Sequence, residues 1–183
     1  MSLAKEEKHL PILIAVCFIG NFVLGGIGQA MPDYSFSQLF SWQWSSLLFM
    51  AGCCLFGAKL HTDKWHISSA GFILISIGQG IFYTLQNSMA DKAAVPVFAA
   101  GMMVFIPGMA FICYYTGFPV WLRVFGILAT LPFTVLMAKI DGGLYDEKKD
   151  IWLTVAGFFM IQLTSVLWSY FVLRPNRKTK VQH

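Results

Sequence analysis

Long apolar runs alternate with short polar interruptions along the whole chain. The runs fall at about 10–30, 43–61, 67–87, 94–115, 119–139 and 151–173. A hydrocarbon core of about 30 Å is crossed by about 20 helical residues, so each run is long enough for one crossing. The runs are continuous rather than alternating, and backbone in lipid must find its hydrogen-bond partners within the segment. The predicted elements are therefore α-helices, and an outer-membrane barrel is excluded. The expected fold class is all-α: a polytopic membrane protein with six transmembrane helices in a single integral membrane domain, 1–183, ending in a basic tail over 174–183.

Composition agrees with this pattern. Charged residues make up 12% of the chain and hydrophobic residues 57%, whereas a soluble domain is roughly 25% charged. Six spans leave little of the chain for a soluble catalytic domain, so any activity is expected in the bilayer or at its faces. Lys5, Lys8, an apolar run and then Gly28-Gln29-Ala30 look like a secretory leader with a small-residue cleavage site. The run from Leu10 to Ile27 is longer than such a leader's apolar region, so it is expected to stay as helix 1. Met50-Ala51-Gly52-Cys53, a lipoprotein-like word in the middle of helix 2, reads as packing.

Basic residues set the orientation, because cytoplasmic loops are enriched in Lys and Arg. One set of alternate loops holds nine: Lys5, Lys8, Lys59, Lys64, Arg123, Arg174, Arg177, Lys178 and Lys180. The other holds four, Lys92, Lys139, Lys148 and Lys149, beside six acidic residues, Asp33, Asp91, Asp141, Asp146, Glu147 and Asp150. Both termini are expected in the cytoplasm and the protein in the cell inner membrane. The tail reads as an anchor on anionic headgroups, with no nucleic-acid partner. Trp42, Trp44 and Trp152 fall where amphipathic rings favour the outer boundary. Phe36, Leu39 and Phe40 have the spacing of a short helix lying on the outer surface, either as a lid or as interfacial filler.

Compared with itself, the chain shows a faint repeat: 19–33 aligns with 77–91 without gaps, placing Asn21 on Gln79, Gln29 on Asn87, Met31 on Met89 and Asp33 on Asp91. Such a repeat predicts three successive antiparallel hairpins, with chance likeness between apolar helices as the plain alternative. Odd helices would then carry polar side chains, and even ones small residues that let backbones approach. The glycines of helices 1 and 3 suit close crossings. Pro107-Gly108 and Pro132 predict kinks in helices 4 and 5.

No carboxylate is expected at mid-membrane, which removes proton-relay and ion-coupling machinery. The neutral polar groups Asn21, Gln79 and Gln162 lie well inside their spans and are the candidates for lining a ligand cavity; bonding across helices is the structural alternative. Asp33, Asp91 and Asp141 form a candidate acidic outer rim, either a cation-concentrating mouth or ordinary charge sorting. His61, Asp63 and His66 are of metal-ligand type, but their spacing fits no one helical face, and a solvated turn is the simpler reading. Cys17, Cys53, Cys54 and Cys113 include no C-x-x-C and read as small packing residues. No phosphate loop, nucleophile–base arrangement or zinc-protease word is present, so no catalytic residue and no cofactor is expected.

The outer loop Met31-Pro32-Asp33-Tyr34-Ser35, the basic turn after helix 2 and the start of helix 6 at Asp150-Ile151-Trp152 resemble bacterial six-helix membrane proteins classed as a domain of unknown function. The hairpin pattern is also similar to small six-helix stress-associated proteins of the acid-resistance type. These resemblances imply an architecture and no activity; Asp91-Lys92-Ala93-Ala94 stands where the former often carry histidine, so no site is transferred. Three readings of function follow. The leading one is a non-enzymatic bundle that binds or passes a small neutral or lipidic molecule. The second is an accessory subunit of a larger membrane complex, and the third an intramembrane enzyme. Expected partners are membrane lipids and either further copies of the chain or a partner membrane subunit.

Overall fold

The computed structural model describes residues 3–33, 35–85 and 94–174, with side chains from His9 onward. Asp91, Gln86, Asn87, Lys92 and the basic residues beyond Arg174 lie outside that description, as do the side chains of Lys5 and Lys8. The described residues form seven helices: α1 Leu3–Gln29, α2 Phe36–Thr62, α3 His66–Leu85, α4 Ala94–Ile112, α5 Val120–Leu128, α6 Leu131–Asp141 and α7 Glu147–Leu173. Taking α5 and α6 together as one crossing, six segments are long and apolar enough to be membrane spans. The architecture is that of an all-α, multi-pass membrane protein.

Two elements differ from the sequence reading. The surface helix expected around 36–40 is the first turn of α2, which runs unbroken for 27 residues from Phe36. Ser35 caps it by accepting the Gln38 N–H at 3.2 Å, and neither Gly nor Pro intervenes before the apolar run. A helix of that length spans about 40 Å, longer than a hydrocarbon core of about 30 Å. The fifth span is divided at Ala129 and Thr130, just ahead of the expected proline kink. Pro132 lacks the N–H that would bond the carbonyl four residues earlier. Two threonine hydroxyls bond local carbonyls at this joint, Thr130 to Ile127 at 2.7 Å and Thr134 to Thr130 at 3.0 Å.

Each span packs on its chain neighbours, with α4 against both α5 and α6, and α7 packs on α1, α5 and α6, so the spans close into a ring in the order α1, α2, α3, α4, α5–α6, α7. Aromatic side chains fill its centre. Trp168, 1% exposed, lies 4.9 Å from Phe72, 5.6 Å from Phe18 and 6.4 Å from Phe118, centroid to centroid. Phe82, Phe105, Phe133 and Phe158 continue the packing toward the other face, at 5.3–6.2 Å. Among the described residues, packed aromatic rings thus fill the interior.

Glycine sets the closest seam. A methyl added to Gly71 would lie 2.6 Å from the Gly108 carbonyl oxygen and 2.7 Å from the Ile112 nitrogen. Seven residues along each helix, one added to Gly78 would meet the Gly101 oxygen at 3.1 Å. The two pairs hold α3 and α4 antiparallel with their backbones almost touching. Small residues thus occur on both partners of the seam rather than on even-numbered helices alone.

Candidate functional site

The intramembrane polar residues come together around α2. Asn21 donates from Nδ2 to the Ser165 hydroxyl of α7 at 3.3 Å, and Ser45 of α2 donates to both the Asn21 carbonyl (2.9 Å) and its side-chain oxygen (2.8 Å). Gln79 reaches the other side of α2, donating to Ser46 at 3.0 Å. Gln162 belongs to a different arrangement: its amide covers Gly25, where an added methyl would lie 2.1 Å from Nε2. The three residues therefore lie on α1, α3 and α7, of which only α1 and α7 are adjacent in the ring, and the interactions they make are with serines and a glycine rather than with one shared open space. Asn21 and Gln79, aligned in the repeat, both turn to α2; a strict hairpin repeat would send Gln79 to α4.

Uncharged pairs of this kind contribute about 1 kcal/mol each between membrane helices. Asn21→Leu is accordingly expected to lower stability by roughly 1 kcal/mol or somewhat more, since it also strips Ser45 and Ser165 of a partner. Thermal unfolding in mild detergent measures this, and a variant as stable as the parent would show that the cluster adds nothing.

Of the residues expected to form an outer rim, Asp33 and Asp141 are exposed, and Asp91 lies outside the described residues. Asp150, placed by the sequence among these outer charges, is instead almost fully buried. It pairs with the Lys139 ammonium and accepts the Asp146 N–H at 3.0 Å, clamping the end of α6 to the first turn of α7. Asp146 caps α7, accepting from the N–H groups of Lys148 and Lys149. A hydrogen bond from the Lys149 side chain, foremost, holds its carboxyl below the usual carboxylate range.

Among the described residues, open grooves on the sides of the bundle include two that bear on binding. One, of about 450 Å³, runs between α1 and the start of α2 and is lined by Leu24, Ile27, Met31, Phe36, Phe40 and Trp44 with the hydroxyl residues Ser37 and Ser41. Phe36, Phe40 and Trp44 recur every four residues, so their rings form a ladder along one helical face, at centroid spacings of 5.9 and 6.1 Å. Ser41 donates to the Leu24 carbonyl at 2.7 Å and pins the groove floor. The other groove, of about 350 Å³, is formed by Cys113 and one side of α5, including Arg123, whose guanidinium donates to the Cys113 carbonyl just past the end of α4. The ladder was half legible in the sequence: Phe36 and Phe40 stood out by spacing, but assigning them to a separate helix concealed their continuity with Trp44.

Across the membrane from the ladder, the α2–α3 turn brings His61 and His66 together, Nδ1 to Nδ1 at 3.2 Å. Asp63 between them pairs with Lys59 at 2.6 Å. Among the described residues, no three His, Cys, Asp or Glu side chains gather into a metal cage.

No family model, no curated protein and no solved structure matches the chain. Of the resemblances drawn from the sequence, the six-span all-α architecture is what stands.

Proposed function

We propose that the chain is a small non-enzymatic protein of the cell inner membrane, with both termini in the cytoplasm, that binds a lipidic molecule on its lateral face. The observation that carries this reading is the contrast between a core closed by aromatic rings and the open, aromatic-lined groove between α1 and α2. A filled ring favours binding over passage. An acyl or isoprenoid chain fits the groove's chemistry. Its lining is apolar, rings stack well against flexible hydrocarbon, and the Ser37 end lies at headgroup level where a polar head stays hydrated. The excess of Lys and Arg on the loops shared with the termini supports the orientation.

The test is photolabelling of the purified protein in bilayers by a phospholipid with a photoreactive acyl chain, together with native mass spectrometry from mild detergent. Label is expected to concentrate on the segment 24–44, and Phe40→Ala combined with Trp44→Ala is expected to disperse it and reduce co-purifying lipid. Label spread evenly around the bundle would refute the lipid reading. A stoichiometric protein subunit in the spectrum, with no retained lipid, would replace it with the accessory-subunit reading.

A further inference from the structure

The α2–α3 turn carries a second, independent inference. His61 sits in the last turn of α2 and His66 opens α3. A separation of five residues on one helix would point two side chains in different directions, and it is the turn that brings these two together. Lys64 takes a left-handed conformation, φ 64°. Around it the backbone is held by Asp63 N–H to the Lys59 carbonyl (2.9 Å), Lys64 N–H to His61 (3.1 Å) and Trp65 N–H to Leu60 (2.8 Å). Leu60 is fully buried, and Trp65 packs edge-on against Tyr115 at 5.1 Å. Two rigid helix ends thus present two exposed imidazoles with their Nδ1 atoms already adjacent.

We propose that His61 and His66 chelate one borderline divalent transition-metal ion, of the Zn²⁺, Ni²⁺ or Cu²⁺ class, through their Nδ1 atoms. Metal–imidazole bonds are about 2.0–2.1 Å long. Two nitrogens 3.2 Å apart at that radius subtend about 100–106° at the ion, close to the tetrahedral angle. Without metal, one ring donates its Nδ1 proton to the other. With metal, the donor ring takes the tautomer protonated at Nε2, so both Nδ1 lone pairs face the ion and no proton is lost. Water fills the remaining positions, which makes the site open and exchangeable rather than a structural cage. Imidazole selects this class over Mg²⁺ and Ca²⁺, which prefer oxygen.

The experiment titrates the full-length protein in detergent, free of any affinity-tag histidines, with Cu²⁺ followed by electron paramagnetic resonance, and with Zn²⁺ competed against a chromophoric chelator. One equivalent of Cu²⁺ with nitrogen hyperfine coupling from two imidazoles is expected. His61→Ala and His66→Ala should each weaken binding by at least about tenfold, while His9→Ala should leave it unchanged. Because the ion joins two helix ends, Zn²⁺ should also raise the unfolding temperature of the parent but not of His61→Ala. Binding that is absent, insensitive to both substitutions, or lost with His9 would overturn the proposal. Lipid labelling of the distant α1–α2 groove does not bear on this result.

Discussion

Gly71→Leu is expected to prevent the protein from being isolated as a folded, monodisperse species. The added side chain would start 2.6 Å from the Gly108 carbonyl oxygen and 2.7 Å from the Ile112 nitrogen. Both obstacles are backbone atoms inside α4, so no rotamer change relieves the clash and α3 and α4 must move apart along their length. Overpacking where side chains can yield costs about 1–3 kcal/mol. A backbone-on-backbone seam should exceed that, and loss of the seam also exposes the facing contacts at Gly78 and Gly101. Size-exclusion profiles and thermal unfolding in mild detergent check this, with Gly26→Leu as the control. A methyl at Gly26 has nothing within 4 Å, and its variant should behave like the parent. Equal behaviour of the two variants would show that the close crossing does not hold the bundle together.

Trp168→Ala should be the costliest truncation. In water-soluble proteins, removing a buried Trp costs about 3–5 kcal/mol, the sum of a transfer term and a cavity term. In a bilayer the transfer term shrinks, because lipid tails are as apolar as the core. The cavity term stays, since Phe18, Phe72 and Phe118 all lose a ring they now touch. A loss near the lower end of that range, about 3 kcal/mol, is therefore expected. Trp168→Phe should recover much of it. Denaturation in mixed micelles measures both, and a Trp168→Ala variant within 1 kcal/mol of the parent would contradict a close-packed centre.

The spans were legible because the thermodynamic signal for them is long and additive: some 20 apolar residues in a row leave few alternatives. The helix starts were less so. Nothing in the composition of Phe36 to Trp42 distinguishes a helix lying on the membrane from the first turns of one entering it; what decides is the cap at Ser35 and the absence of a breaker. The burial of Asp150 was hidden for a related reason. Eleven residues separate it from Lys139, and only the turn that folds α6 back on α7 makes their pairing visible. For the polar candidates Asn21, Gln79 and Gln162, the sequence showed their depth along the spans but could not say what they face; Gln162 is half-buried, and Asn21 and Gln79 are buried. That depended on Ser45 and Ser46, two unremarkable residues on a third segment. The His61–His66 contact escaped for the opposite reason: it was judged by helical spacing, and a left-handed residue at Lys64 put the two rings together regardless.

The contact between α1 and α7 has a consequence for biogenesis. The Asn21–Ser165 hydrogen bond joins residues 144 positions apart, so α1 leaves the ribosome well before the α7 it packs against. Until α7 is inserted, Asn21 has Ser45 but not Ser165 as a partner, and the flank that α7 will cover faces whatever surrounds the nascent chain. Closure of the ring therefore waits for α7, and a chain released before α7 is complete would reach the bilayer with one side of α1 still open.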